Sequence, residues 1–128
     1  MILLDSDVLI DLLRGRAPAL AWLSSCGGRQ VVVPGFVAME VILGCRDAAD
    51  LAATERELRN YQVVWPSAGE CEQAVRLLSR YRLSSGLGLI DALVAQTALS
   101  VGEPLHTFNV KHFRVVPGLR TVQPYTKP

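Results

Sequence analysis

Short apolar runs alternate with longer amphipathic stretches along the whole chain, and glycine or proline marks most changes of period. Residues 2–4 are an unbroken apolar triplet that predicts a short buried strand. The stretch that follows predicts a helix to Leu13, stopped by Gly15. A second helix is predicted after Pro18, since proline suits the first helical turn, and it ends at Gly27 and Gly28. The β-branched run 30–33 predicts a strand closed by Pro34, and 36–43 a helix closed by Gly44. Residues 47–60 predict a longer helix, with Ala48, Leu51, Ala52 and Leu58 on or near one face and Glu55 placed four residues before Arg59. A strand over 61–65 ends at Pro66. The helix over 67–82 buries Ala74, Leu77, Leu78 and Tyr81, and an almost wholly apolar helix follows over about 88–101. Residues 105–108 and 121–123 complete the pattern as the last strands.

Short apolar strands alternating with helices predict an α/β fold, a three-layer α/β/α sandwich around a short, mainly parallel sheet. With 128 residues and no internal repeat or long linker, the expectation is one domain over 1–128. In such sheets ligands bind beyond the carboxyl ends of the strands. Asp5 stands at the end of the first strand.

Three acids interrupt otherwise apolar sequence. Asp5 follows the first strand, Glu40 is the only charged residue over 30–45, and Asp91 the only one over 83–102. An isolated carboxylate in apolar surroundings carries a heavy desolvation penalty, and no basic residue is close in sequence to offset any of the three. Meeting around a shared cation would remove the conflict, and hard divalent ions such as Mg²⁺ prefer carboxylate oxygens. Each acid also has a plainer reading. Asp5 or Ser6 serves equally as a helix cap, Asp7 as a first-turn complement to the helix dipole, and Asp91 as an acid near its own helix start. Asp91 shares a face with Ala95, Ala98 and Gly102, which lets another element approach closely. Glu40 is mid-helix, too late for capping, between Phe36, Val37, Leu43 and Gly44. Asp11, three residues before Arg14, is expected at the surface.

Composition narrows the setting. Half the residues are hydrophobic and the formal charge is +1, so neither disorder nor a strongly charged partner follows from the totals. The distribution is uneven. No acid occurs from Pro104 onward, whereas Lys111, Arg114, Arg120 and Lys127 are basic and His106 and His112 lie nearby, a stretch suited to a polyanion or to a solvated tail. Cys26, Cys45 and Cys71 lack close-paired ligand spacing and read as free thiols. The amino terminus carries Asp5, Asp7 and Asp11 instead of a basic leader, and no apolar run approaches the roughly 18 residues of a membrane span, so a cytoplasmic location is expected. Two histidines make a poor zinc site, and Gly86-Leu87-Gly88 lacks the strand and lysine of a phosphate loop.

Four segments carry a resemblance to the PIN-domain ribonucleases, and within them to the VapC-type toxins of bacterial toxin–antitoxin systems. They are MILLDSDVLIDLLRG at the start, VAMEVILG, GLIDALVAQTAL, and Thr107-Phe108-Asn109 with the residues up to Phe113, in that order over nearly the whole chain. Position by position, the resemblance implies that Asp5, Glu40 and Asp91 hold Mg²⁺ or Mn²⁺, with Ser6 as the small hydroxyl residue beside the first acid. Asp7 occupies a place where such toxins commonly have Asn. Near the last strand, where they often have Asp, this chain offers Asn109 and then His112, either of which can orient a water. One ion is therefore the expectation. The implied activity is metal-dependent hydrolysis of RNA phosphodiester bonds, with the basic C-terminal stretch on the RNA backbone. The implied partners are a cognate antitoxin and a second toxin copy in a homodimer, and an apolar groove between the helices after Pro18 and Asp47 would suit an antitoxin helix.

Other families fit less well. A haloacid-dehalogenase-type phosphatase also opens on Asp-x-Asp but continues with Gly-Thr, where Val8 and Leu9 stand here. A response-regulator receiver needs an Asp ending a middle strand, where this chain has Pro34 and Pro66. A PIN-like module that binds RNA or protein without cutting remains the alternative, favoured by the missing fourth acid and opposed by retention of the other three.

Overall fold

The computed structural model describes residues 1–127. In chain order the elements are β1 (Ile2–Leu4), α1 (Ser6–Leu13), α2 (Ala17–Ser25), β2 (Val31–Pro34), α3 (Gly35–Leu43), α4 (Ala48–Leu58), β3 (Gln62–Val64), α5 (Ala68–Ser85), α6 (Leu89–Val101), β4 (Leu105–His106), α7 (Val110–Phe113) and β5 (Thr121–Val122). The five strands form one sheet in the order β3-β2-β1-β4-β5, with every pairing parallel. Successive side chains of a strand point to opposite faces, and Ile2, Leu3 and Leu4 are all 0% exposed. Both faces of the sheet are therefore covered by helices, which is the expected α/β/α sandwich.

The strand order fixes where a ligand can enter. From β1 the chain steps outward through β2 to β3, then returns to the other side of β1 to lay down β4 and β5. The order reverses between β1 and β4, and in an open parallel sheet the crevice beyond that reversal is where ligands bind. Leu4 is in register with His106, so Asp5 and Thr107 are the first residues past two adjoining strand ends. The Asp5 N–H donates to the His106 carbonyl at 3.0 Å and closes the ladder there.

Most predicted elements are present, with trimmed ends. The strand expected over 105–108 stops at His106, because after the Thr107 N–H donates to the Val122 carbonyl at 3.0 Å the chain turns away into α7. This short helix was not anticipated; Phe113, 1% exposed, anchors it in the core. Helix α4 differs more. None of its residues is fully buried; Leu51 and Leu58 are half-buried, while Ala48 and Ala52 are exposed. Helix α5 buries Ala74 fully and Leu77, Leu78 and Tyr81 in part.

Helix α5 opens with a reciprocal cap: the Glu70 N–H donates to Ser67 Oγ at 3.1 Å and the Ser67 N–H to Glu70 Oε1 at 3.1 Å. Ser67→Ala removes one acceptor from an exposed helix end and is expected to lower unfolding stability by about 1 kcal/mol without changing the denaturant slope. Urea titration of the two proteins checks this, and an unchanged midpoint would mean the cap contributes nothing.

Candidate functional site

Past the ends of β1 and β4, a set of hydrogen bonds converges on two acids of α1. Asp5 is its N-terminal cap, only 5% exposed, and accepts from the Ser6 N–H at 2.8 Å. Its other oxygen accepts from the Thr107 hydroxyl at 2.7 Å. Thr107 is completely buried, and its Oγ1 in turn accepts from the Asn109 N–H at 3.0 Å. Asp7 accepts from the Val8 N–H at 2.8 Å and, across the gap, from the Phe108 N–H at 2.9 Å. Asp7 therefore does more than complement its helix dipole: it ties α1 to the loop after β4.

Electrostatics at this point are unfavourable to charge. Burial raises the Asp5 carboxyl from an ordinary 3.8 to about 6; the Thr107 hydroxyl and Ser6 N–H pull it down, and the like charges of Asp7 and Glu40 push it up. Burial also raises Asp7, against the Phe108 and Val8 amides and the Lys127 charge. Glu40, half-buried on α3, contributes its field to Asp5 and also lines a cavity of about 600 Å³ with Ile10, Leu13, Val41 and Ala53. Arg14, Arg16, Arg46, Asp50 and Glu57 line it as well; it uses α4 as expected of a partner groove, but its other walls are α1 and α3 instead of α2.

Asp91 is half-buried in the first turn of α6, where it fulfils the plainer reading: its Oδ2 accepts from the Gly88 N–H at 3.3 Å. A side chain at Gly88 would crowd that oxygen at 3.1 Å, so glycine suits the position. The same oxygen lies 3.6 Å from His112 Nδ1, an ion pair when the exposed imidazole is protonated. Asn109 makes no side-chain cap to α7 and its side chain is exposed, while its backbone serves Thr107. Among the described residues, no three His, Cys, Asp or Glu side chains are gathered closely enough to enclose an ion on their own.

Asp11 corrects an expectation. It is 8% exposed and not at the surface, because the chain after β5 folds back over α1. The Tyr125 hydroxyl donates to Asp11 Oδ2 at 2.7 Å, Lys127 Nζ is 3.2 Å from the same oxygen, and Arg16 Nε is 3.9 Å from the other. Burial pushes the Asp11 carboxyl up, but these three partners outweigh it and hold it below the usual range. Sequence reasoning also gave Thr107 no role; only the β1–β4 adjacency reveals one. The basic C-terminal stretch is divided: Lys127 is engaged with Asp11 and Arg120 donates to the Gly102 carbonyl at 2.9 Å, whereas Lys111 and Arg114 are exposed.

The Asp5 environment gives stability a definite pH dependence. Below 3.8 the acid is protonated whether the chain is folded or not; between there and about 6 only the folded chain keeps the proton. In metal-free protein, folded stability therefore falls as pH rises through that window, by about 3 kcal/mol in total. Asp5→Asn is expected to flatten this slope and, after some loss of hydrogen bonding, to exceed the parent by ~1–2 kcal/mol at about pH 7.5 in denaturant titrations with chelator present. Equal slopes in the two proteins would refute the assignment. Thr107→Val leaves a buried carboxylate oxygen without its donor and is expected to lose about 1–3 kcal/mol under the same conditions.

Comparison with known proteins places this architecture. The PIN domain family matches residues 2–119. Ribonuclease VapC19 of Mycobacterium tuberculosis is 34% identical over 125 residues, covering 94% of this chain and 98% of that protein. Ribonuclease VapC10 of the same species is 35% identical over 114 residues, or 88% and 86% of the two chains. Among solved structures, a chain of a toxin–antitoxin complex from Klebsiella pneumoniae superposes with a TM-score of 0.76 at 30% identity, covering 99% of this chain and 100% of that one. The fold, the parallel strand order and the whole-length matches agree, and the chain belongs to the PIN domain family, among its VapC-type members.

Proposed function

We propose that this protein is an endoribonuclease toxin of the VapC type, acting as one domain over 1–128 in the cytoplasm, and that a cognate antitoxin neutralises it. The observation that carries this reading is Asp5: a buried carboxyl at the switch point of a parallel sheet, raised by burial and repelled by Asp7 and Glu40. VapC19 and VapC10, each named a ribonuclease, support the activity, and the Klebsiella complex supports an antitoxin partner. No described helix is long and apolar enough to cross a membrane.

The residues suit a divalent cation. Asp5 has no basic side chain within ion-pair range among the described residues, and a positive ion would relieve both its desolvation and its repulsion. Mg²⁺ and Mn²⁺ keep several waters and do not require an all-protein cage. Asp5, Glu40 and Asp91 would hold the ion. When bound, it supplies Lewis-acid charge for a phosphoryl group undergoing hydrolysis. Thr107 and the Ser6 N–H orient Asp5 for this role. Asn109 presents an exposed amide able to orient a water or a substrate oxygen, and His112 Nδ1 lies beside Asp91, 3.6 Å from its Oδ2. Lys111 and Arg114 supply charge for the RNA backbone. The 600 Å³ cavity, where Ile10, Leu13, Val41 and Ala53 stand beside Arg14, Arg16, Arg46, Asp50 and Glu57, suits an amphipathic antitoxin helix. Met39 (49% exposed), Leu43 (83%) and Trp65 (59%), on and near α3, are a suitable surface for a second copy in a homodimer.

The alternative, a PIN-like module that binds RNA or protein without cutting, is favoured by one observation: Asp91 already accepts from the Gly88 N–H in the first turn of its own helix. One experiment separates the two. Antitoxin-free protein is incubated with total RNA and Mn²⁺ or Mg²⁺, beside a chelator control and the Asp5→Asn and Asp91→Asn variants. Discrete fragments that require the metal and fall at least about a hundredfold in both variants are expected. Intact RNA, with no rise in thermal stability on adding Mn²⁺, would establish the non-catalytic module. RNA affinity should also fall with salt, and Lys111→Gln should reduce the log–log slope by about 0.7; a slope near zero in the parent would exclude backbone contacts.

A further inference from the structure

Two side chains of the segment after β5 each touch both sides of the acidic site. Tyr125 donates its hydroxyl to Asp11 on α1 at 2.7 Å, and its ring meets the Phe108 ring edge-on at 4.9 Å between centroids. Lys127 Nζ lies 3.2 Å from Asp11 and 4.2 Å from the centre of the same Phe108 ring. Trp22 closes the other side of Tyr125 at 6.0 Å. On the inner side, the backbone of the same loop reaches the site acids: the Phe108 N–H donates to Asp7 at 2.9 Å, and the Asn109 N–H to Thr107 Oγ1 at 3.0 Å, which donates to Asp5. Asp7 and Asp11 are four residues apart on α1 and so share a face of it. The inner hydrogen bonds and the outer clasp therefore bridge the same gap, one layer above the other.

We propose that Tyr125 is a positioning residue for the acidic site: by joining Asp11 to Phe108 it holds loop 107–109 at the spacing from α1 that its bonds to Asp5 and Asp7 require. Neutralising Asp11 does not by itself call for the phenol, since Arg16 and Lys127 already flank that carboxylate. What Tyr125 adds is a rigid link to the loop. An aromatic ring with few rotatable bonds, packed edge-on against one partner and hydrogen-bonded to another, fixes distance better than a flexible lysine.

The test compares the full chain with Tyr125→Ala and Tyr125→Phe by residue-resolved amide hydrogen exchange in chelator, and by RNA cleavage with Mn²⁺. In Tyr125→Ala, the amides of Phe108 and Asn109 are expected to exchange about tenfold faster, while those of Ile2 and Leu105, in the sheet, keep their protection. Tyr125→Phe, which keeps the ring and loses the Asp11 bond, should fall between. Cleavage should lose kcat in the same order with KM held, because Lys111 and Arg114, assigned to the RNA backbone, are untouched. Unchanged exchange at Phe108 and Asn109, or equal acceleration at the sheet amides, would overturn the proposal. The kinetic arm rests on the nuclease reading and the exchange arm does not. A parent that cleaves no RNA would therefore end the former while leaving the clasp to be decided by exchange.

Discussion

A single buried hydrogen bond, from the Thr107 hydroxyl to Asp5, joins residues 102 positions apart at the point where the strand order reverses. Much of the site follows from it. The bond is possible because Leu4 and His106 are in register, which brings the first residue beyond each strand side by side. A hydroxyl has one proton to give, and Thr107 gives it to Asp5. Asp7 is left to take the next donor along the loop, the Phe108 N–H at 2.9 Å. The Asn109 N–H then satisfies the hydroxyl oxygen, so three consecutive loop residues are committed to the two acids. Hydrogen bonds linked in this way polarise one another, and removing any member leaves a buried group unpaired.

These bonds fix the acids without neutralising them. Amide and hydroxyl donors lower the Asp5 carboxyl, yet burial and two like charges still raise it to about 6. The cations stand farther out. Lys127 and Arg16 meet Asp11 on the outer part of α1, and Lys111 and Arg114 are exposed on and beside α7. Charge is thus graded, negative at the strand ends and positive around them. The exposed Lys111 and Arg114 give that outer surface positive charge, whereas Asp5 has neutral hydrogen-bond donors for partners.

The parts of this arrangement legible in the sequence are those set by local period. The first three strands read as β-branched or apolar runs ended by proline or by an acid, and most helices by their spacing and their closing glycines. Asp5 and Glu40 stood out because nothing nearby could pair with them. What escaped was long-range. Asp11 has Arg14 three residues away and reads as a surface acid; its burial depends on Tyr125 and Lys127, more than 100 residues later. Thr107 reads as part of a strand, and its role exists only through sheet order. Helix α7 is four residues long, too short for any periodic signal, and owes its position to Phe113 in the core. Helix α4 reads as amphipathic through Ala48, Leu51, Ala52 and Leu58, but two of the four are alanines, which bury little area, and the helix lies at the margin of the core.

Two departures from the VapC-like pattern lie together in space and change the site in opposite senses. Where the resemblance leads one to expect Asn on α1 this chain has Asp7, and where it leads one to expect an acid near the last strand the chain offers Asn109 and then His112. The loop that carries Asn109 is the one whose Phe108 N–H binds Asp7, so the carboxylate absent from the loop is matched by one on the helix facing it. The formal charge of the pair is the same as in the common pattern, but its freedom is reversed. Asp7 has both oxygens engaged, by Val8 at 2.8 Å and Phe108 at 2.9 Å, and is partly buried. Asn109 is exposed, uncharged and without a side-chain cap. Negative charge that would otherwise extend from an exposed loop side chain is held against α1 by two backbone amides. The fourth position is left as a neutral group that can donate as well as accept. The pattern of acids alone would count the exchange as a loss, although Asp7 still adds its like charge to the field at Asp5.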